Sequence, residues 1–471
     1  MTSPNPVVTI IGAGVSGTAL AAYLAGERRA APFDLHLVSL GDQPAQGDVL
    51  GETDPSVILN LPAGRMSLWS DSPNDFLRWA RSRGPASGWP QAAAANGATY
   101  LPRRLFDLYV QDALEEAIAQ TETMGGPVLT RHTASVRSLV PGNGGFAIEL
   151  DDGTSILSDV VVLAMGFQSA ALPFPVAGKG GRYIPNSKLP HALDAIGRQD
   201  KVTVAGTNLA MVDVLYRLER RRFAGTVTAI SPHGMLPLAR GVSVEHPPVL
   251  TDTDMRRGVR HSLRTIRAAI AGGQVDWRTA VDSLHPTLEQ LWHALPPAEQ
   301  DRFQRHLRPI WRMHRNRMPA ESADLLLRLA ASGRLRVEAG RILGVTLASD
   351  TVEIEVRPRT APKTERRATD WFINCRPPAP FLSGHDDGLT GLLLAGGLVR
   401  LDRTGRGYEV DGEGQVVAAS GAPIHNLFTL GPLRGGYAIE SSSLPDFRPQ
   451  LQVLTDKLLE KTSPRPKRRQ A

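Results

Sequence analysis

The apolar run Val7-Val8-Thr9-Ile10-Ile11 leads without a break into Gly12-Ala13-Gly14-Val15-Ser16-Gly17, and a small-residue stretch from Thr18 to Ala25 follows. No other stretch constrains the fold as tightly. β-Branched residues favour an extended strand, glycines permit a sharp turn, and small residues after them suit a helix packed close to that strand. A strand, a glycine turn and a helix start in this order set a dinucleotide pyrophosphate on the helix N-terminus, where backbone N–H groups have no partners of their own. The three glycines differ in what they permit. Gly12 makes the tight turn, Gly14 lets the phosphate approach, and Gly17 lets helix and strand touch. Gly12, Ala13, Gly14, Ser16 and Gly17 are therefore the first cofactor-binding candidates.

The continuation reads as a βαβ unit, with Leu35-His36-Leu37-Val38-Ser39 as its second strand. The last residue of that strand is normally acidic and bonds a ribose hydroxyl. Here it is Ser39, which keeps one hydrogen bond and loses the charge, with Asp42 close by as a substitute. The stretch from Asn60 to Ala80 begins with loop composition and starts a helix near Ser72-Pro73, with Phe76, Leu77 and Trp79 as its buried face. Another helix opens at Tyr100-Leu101-Pro102-Arg103-Arg104, with Leu105, Leu108, Tyr109 and Ala113 at helical spacing. Its aromatics read as core. Arg65 and Arg104, long cations flanking a glycine loop, suit a diphosphate. A β-hairpin is expected from Ala134-Ser135-Val136 through Phe146 to Leu150, turning at Asp152-Gly153, and Val160 to Gly166 reads as a buried strand that would close the first sheet. Val136, Ala164 and Gly166 join the cofactor-binding candidates.

The opening then repeats. Lys201 to Ala205 is a strand, Gly206-Thr207-Asn208-Leu209-Ala210-Met211 a turn into a helix, and Val227 to Ser231 a second strand. The match is degenerate, because Asn208 and Met211 stand where the second and third glycines belong. A second nucleotide site at Gly206, Thr207 and Asn208 and an α/β half that binds nothing both remain open. From about 251 to 331 the chain reads as helical, with Trp277, Leu284, Leu288, Trp292, Phe303 and Trp311 among its apolar positions, an insertion on the second unit. Strands return at Leu335 to Glu338, Val352 to Val356 and Trp371 to Cys375. Asn426 to Gly431 is a last strand ending in glycine, before a Gly-rich loop and a closing helix from Pro445 to Leu459.

At 471 residues the chain exceeds one ordinary core. Its single cysteine, Cys375, excludes an internal disulfide and a cysteine-based metal cluster, and no metal site is expected. Cys375 itself reads as a buried strand residue. No apolar run has the length to span a bilayer, and the uncharged polar start from Met1 to Pro6 lacks a signal-peptide pattern, so a cytoplasmic location without membrane contact is expected. The net charge is +6. Part of the excess sits in Arg465, Lys467, Arg468 and Arg469, a tail that reads as a solvated end rather than a nucleic-acid contact. Arg312, His314, Arg315 and Arg317 lie in a stretch that reads as ordered and suit an anionic ligand, a phosphate or an acidic substrate.

A strand-Gly-helix at the start, a second one mid-chain and a late strand-Gly-helix returning to the first resembles the two-dinucleotide-binding-domain flavoproteins. More narrowly, the chain is similar to the bacterial FAD/NAD(P)-binding protein family, distantly like the flavin-dependent N-hydroxylating monooxygenases of amino acids. The resemblance rests on Gly12 to Gly17, Gln46 to Gly51, Leu59 to Ser67, Asp75 to Trp79, Tyr100 to Arg103, Met211-Val212-Asp213, Trp311 to Met318, and Gly431 to Gly435 with Glu440, Pro445 and Arg448. It departs at Ser39, at Asn208, and at Pro232 and His233, where the family tends to carry arginines for a 2′-phosphate.

The resemblance implies an α/β fold of two Rossmann-like doubly wound domains. One would bind FAD and comprise residues 1–185 and 370–460; the other, NAD(P)-type, would comprise 186–369; residues 461–471 would form a disordered basic tail. It implies FAD and NAD(P)H as cofactors and a small-molecule substrate, amino-acid-like or acidic. The pyrophosphate would lie on Gly12, Gly14, Ser16 and Gly17 and the ribose on Ser39; Asn60, Met66 and Ser67 would lie near the flavin, and Gly431 would approach it. NAD(P)H would face Gly206, Thr207 and Asn208, with Glu440 and Arg315 as catalytic candidates. Three functional classes remain: an NAD(P)H-using monooxygenase, a flavin dehydrogenase or oxidase that does not use NAD(P)H, and a non-catalytic flavoprotein. Disulfide-reductase chemistry is excluded, because it needs two thiols beside the flavin.

Overall fold

The structure, a computed structural model, describes residues 5–27, 32–41, 54–124, 126–166, 172–189, 191–376 and 388–462. Asp42, the stretch Gln46 to Gly51 and the tail cations Arg465, Lys467, Arg468 and Arg469 lie outside them. The chain divides into two compact units: Met1–Thr53, Pro62–Ala170 and Ala379–Ala471 form the first, and Asp54–Leu61 with Ala171–Pro378 form the second.

The first unit opens with β1 (Val7–Ile11), α1 (Val15–Gly26) and β2 (Asp34–Ser39). It continues with α2 (Asp75–Arg83), α3 (Arg103–Met124), β3 (Val128–Thr133), β4 (Val136–Pro141), β5 (Phe146–Leu150), β6 (Ser155–Ser158) and β7 (Val160–Leu163). In β1 every residue from Val8 to Ile11 is buried, as expected for a central parallel strand covered on both faces. The expected hairpin is a three-stranded antiparallel sheet, β4-β5-β6. The turn at Asp152-Gly153 is present, with Gly153 at φ +88°, but it joins β5 to β6, while Gly144 at φ +94° turns β4 into β5.

The second unit runs β8 (Val176–Gly178), β9 (Tyr183–Ile184), β10 (Lys201–Ala205), α4 (Leu209–Arg220) and β11 (Thr226–Ser231). The expected helical insertion follows as α5 (Asp252–Arg256), α6 (Val259–Ala271), α7 (Trp277–Ser283), α8 (Leu288–Ala294), α9 (Pro297–Arg302), α10 (Arg308–Arg315) and α11 (Ala320–Ala331). Next come β12 (Leu335–Leu347), β13 (Val352–Pro358), β14 (Glu365–Thr369) and β15 (Trp371–Asn374). Eight strands form one sheet, in the order β14-β13-β12-β11-β10-β15-β9 with β8 on β12. β15 pairs with β10 and β9 pairs with β15, which puts both in the second sheet. The boundaries expected near 185 and 370 assigned them to the first domain. Short strands carry too little pattern of their own, and their partners decide where they belong.

The chain returns to the first unit with α12 (Leu389–Ala395), β16 (Gln415–Val417), β17 (Pro423–Thr429) and α13 (Leu444–Thr462). The first sheet has the order β16-β17-β7-β1-β2-β3, so β7 lies inside the sheet and β17 and β16 complete it. β17 pairs in parallel with β7, from Leu427 opposite Val161 to Thr429 opposite Leu163. That pairing carries Gly431 to the C-terminal edge of the first sheet, where the glycine turn also lies, the edge at which ligands bind in open α/β sheets. Two Rossmann-like units with a helical insertion are the observed α/β architecture.

Candidate functional site

The glycine turn of the first unit is built by close approach. Gly12 has φ +108°, and a Cβ added there would stand 2.5 Å from the Ala164 carbonyl oxygen and 3.0 Å from Met165 Cα. A Cβ on Gly17 would stand 1.9 Å from the Gly12 carbonyl oxygen. The Gly12 N–H donates to the Val38 oxygen at 2.8 Å, and the Ala164 N–H donates to the Ile11 oxygen at 2.8 Å, so β1, β2 and β7 hold the turn. Gly14 is the N-cap of α1, with no side-chain cap and no acidic residue in the first turn. The Thr18 hydroxyl donates to the Ala13 oxygen at 3.0 Å. Ser16 is 8% exposed, and a Cβ on Gly431, φ +75°, would lie 3.5 Å from its Oγ. The Gly431 N–H donates to Gln450 Oε1 at 3.2 Å, which ties α13 to the same corner. Gln450 had no sequence signal, because its partner is a backbone group brought in by the fold. The result is a helix N-terminus with no side-chain cap and no acidic residue in its first turn, suited to a phosphate.

The second turn keeps the backbone bend and differs at the helix. Gly206 has φ +112°, and a Cβ there would stand 2.7 Å from the Cys375 carbonyl oxygen, the counterpart of the Gly12 and Ala164 approach. Asn208 caps α4, its side chain accepting from the Leu209 N–H at 2.8 Å. The Thr207 hydroxyl lies 2.9 Å from Ser231 Oγ and donates to the Met235 oxygen at 2.6 Å. Met211, at the third fingerprint position, is fully buried in the core of this unit. The Asn208 side-chain oxygen and the Thr207 hydroxyl are thus engaged within the protein.

Residues 9–168 match the family model described as FAD-NAD(P)-binding. The chain carries an FAD-NAD(P)-binding domain. No curated protein sequence matches it. Solved structures share its fold over nearly its whole length. The ornithine N-hydroxylase of Kutzneria sp. 744, in complex with reduced FAD, NADP+ and L-ornithine, is 15% identical with a TM-score of 0.65, covering 98% of this chain and 100% of that one. L-Lysine 6-monooxygenase from Pseudomonas syringae is 15% identical with a TM-score of 0.63, covering 97% and 99%. The bacillithiol disulfide reductase of Staphylococcus aureus is 13% identical with a TM-score of 0.54, covering 98% and 100%.

Around the FAD-NAD(P)-binding domain the other candidates separate. Ser39 ends β2, and its hydroxyl donates to the Gly41 oxygen at 2.6 Å, leaving lone pairs to accept a further bond. Ser67 is 1% exposed and committed to its own loop: its Oγ donates to the Ser72 oxygen at 2.7 Å and accepts from the Trp69 N–H at 3.1 Å. Met66 is buried, Arg65 is exposed beside it, and Asn60 groups with the second unit rather than with Met66 and Ser67. Arg104 sits half-buried in the first turn of α3 with its Nη1 unpartnered. Val136 packs on the core of the three-stranded sheet. Ala164 is buried at the glycine turn, and Gly166, φ +68°, faces open space.

Glu440 is half-buried in the first unit, and its charge partly offsets the burial that draws the Arg406 guanidinium down to about 10. Arg315, the other catalytic candidate, is 9% exposed at the end of α10 in the second unit. Arg317, grouped with it as an anion-binding candidate, is fully buried instead. It forms an ion pair with Asp282 and lies over the Trp277 ring with its guanidinium carbon 5.8 Å from the centroid. Its role is to anchor α7. Trp79 is half-buried rather than core, with its indole N–H donating to Asp112 at 2.9 Å.

Sequence reasoning also missed a pair of histidines. His36 Nδ1 and His132 Nε2 lie 2.8 Å apart across β2 and β3. Burial pulls both imidazoles below their usual value, and the charge on His132 lowers His36 further. Cys375 is 2% exposed, just beyond β15, and burial pushes its thiol up to about 12.

Proposed function

We propose that the chain is an FAD-dependent oxidoreductase that uses NAD(P)H to hydroxylate a small metabolite, amino-acid-like or acidic, at nitrogen. The observation that carries this reading is the uncapped glycine turn of the first unit, set in a fold shared end to end with the ornithine and lysine hydroxylases. FAD, when bound, supplies the electron transfer and oxygen activation that side chains lack. The backbone of Gly12, Gly14 and Gly17 would hold the pyrophosphate, Ser16 would donate to it, and Ser39 would accept from the ribose. Arg65 and Arg104 would screen the diphosphate charge. Glu440 would offer a polar group near the reacting centre, and Arg315 would offer its charge to an anionic group on the second unit. The disulfide-reductase neighbour shares the fold alone, since one cysteine cannot form an internal redox pair. Steady-state NADPH and NADH oxidation, measured across a panel of amines and ω-amino acids, tests the reading. One substrate should stimulate turnover and yield a hydroxylamine equal to the nucleotide consumed. Stimulation without hydroxylated product overturns it.

A second reading is favoured by Asn208 and Thr207, whose polar groups serve α4 and the neighbouring loop. In it the flavin is reduced by the substrate, and the second unit is an α/β half that binds no nucleotide.

A further inference from the structure

β3 is the last strand in the order β16-β17-β7-β1-β2-β3, and four of its six residues are exposed. Little apolar surface holds it, so side-chain bonds across to β2 weigh more here than in a central strand. The two strands pair in parallel, from Asp34 opposite Val128 to Ser39 opposite Thr133. His36 and His132 reach across the pair diagonally, with Nδ1 of His36 2.8 Å from Nε2 of His132 and the rings within 20° of parallel. Both are half-buried. One facing nitrogen donates its N–H and the other accepts, so the bond exists only while one of them lacks a proton.

The bond lies beside the glycine turn. His132 stands opposite Val38, and the Val38 carbonyl oxygen accepts the Gly12 N–H at 2.8 Å. One residue on, the Ser39 carbonyl oxygen accepts the Ala134 N–H at 2.8 Å. The end of β2 is therefore held by the glycine turn on one side and by the end of β3 on the other. Ser39 is the ribose acceptor proposed for FAD.

We propose, on the reading of the glycine turn as an FAD site, that the His36–His132 bond is a proton-sensitive clasp: it closes β3 onto the ribose end of that site, and acid opens it and releases FAD from the folded protein. A first proton can be shared between the two rings. A second removes the only acceptor and sets two like charges face to face. Burial of both rings favours the neutral, closed pair, and the charge of His132 disfavours a proton on His36. Two carboxylates act the other way, Asp34 on β2 at His36 and Asp152 in the β5–β6 turn at His132. Arg131 of β3 pairs with Glu115 of α3 instead. The closed pair thus binds fewer protons than two separated imidazoles. The clasp is complete above the ordinary imidazole value of 6.5 and opens as pH falls below it.

The test is equilibrium dialysis of the flavin-loaded full chain between about pH 7.5 and about pH 5.5, with a circular dichroism spectrum recorded at each pH. The FAD dissociation constant should rise about tenfold or more towards the acid end while the spectrum stays unchanged. His36→Gln and His132→Gln each leave one imidazole beside an amide that cannot charge, and either variant alone decides. In both, FAD affinity should change by less than about threefold over the same range. A wild-type affinity that is flat with pH, variants that lose FAD in acid as the wild type does, or unfolding of the wild type within the range overturns the proposal. A chain that takes up no FAD at any pH overturns the reading of the glycine turn, and the clasp with it.

Discussion

Replacing Gly12 with alanine tests the glycine turn where it is tightest. The residue has φ +108°, and the new Cβ would meet the Ala164 carbonyl oxygen at 2.5 Å and its carbon at 2.7 Å. Backbone strain in that region costs about 1–3 kcal/mol. Both contacts are backbone in the neighbouring β7 connection, so relief requires a backbone shift, which adds about 1–3 kcal/mol. The sum, roughly 2–6 kcal/mol, is a large part of an ordinary domain's stability. Gly166→Ala in the same unit is the control, since its φ of +68° carries strain but its Cβ meets nothing within 4 Å. That substitution costs about 1–2 kcal/mol. Urea unfolding followed by circular dichroism reads stability, and flavin content per chain after purification reads the site. Gly12→Ala should lose about two to three times as much stability as Gly166→Ala and retain little flavin. Equal losses in the two variants would refute the close-approach argument.

Other outcomes follow from particular residues. Arg317→Met leaves Asp282 without its buried cation, and should cost about 3–5 kcal/mol in urea unfolding; a loss below about 1 kcal/mol would show that the pair is not buried as described. His36 and His132 have depressed folded-state values, so the native protein binds fewer protons than the unfolded chain. Their contribution is therefore complete above the ordinary imidazole value near 6.5 and is lost as pH falls below it. Urea midpoints at decreasing pH should drop through that window, and His132→Gln should flatten the drop. Cys375, with its thiol raised to about 12, should resist alkylation in the native state at mildly alkaline pH and react once the chain is unfolded; native labelling at the unfolded rate would contradict its burial.

Both glycine turns and the helical insertion were legible because each is local: a strand, a turn residue and a helix start within a dozen positions. The late return of the chain was legible for the same reason, since Asn426 to Gly431 repeats the strand-glycine pattern. What could not be read depends on partners far away in sequence. β9 and β15 lie in the second sheet because they pair with each other and with β10. The turn within β4-β5-β6 was misplaced because two Gly turns compete for one expected hairpin. Ser67 is expected near the flavin, yet its hydroxyl is taken up by its own loop. The basic run from Arg312 to Arg317 shows only charge, and burial separates Arg317, an anchor over Trp277, from a ligand-binding cation.

The most direct measurement is the visible spectrum of the purified chain, followed by anaerobic mixing with NADPH and with NADH. The account predicts a flavin spectrum, dependent on Gly12, that bleaches with at least one nucleotide at the rate of turnover. A colourless protein that takes up no added FAD would contradict the reading of the glycine turn, and a flavin that stays oxidised with both nucleotides would contradict the role given to the second.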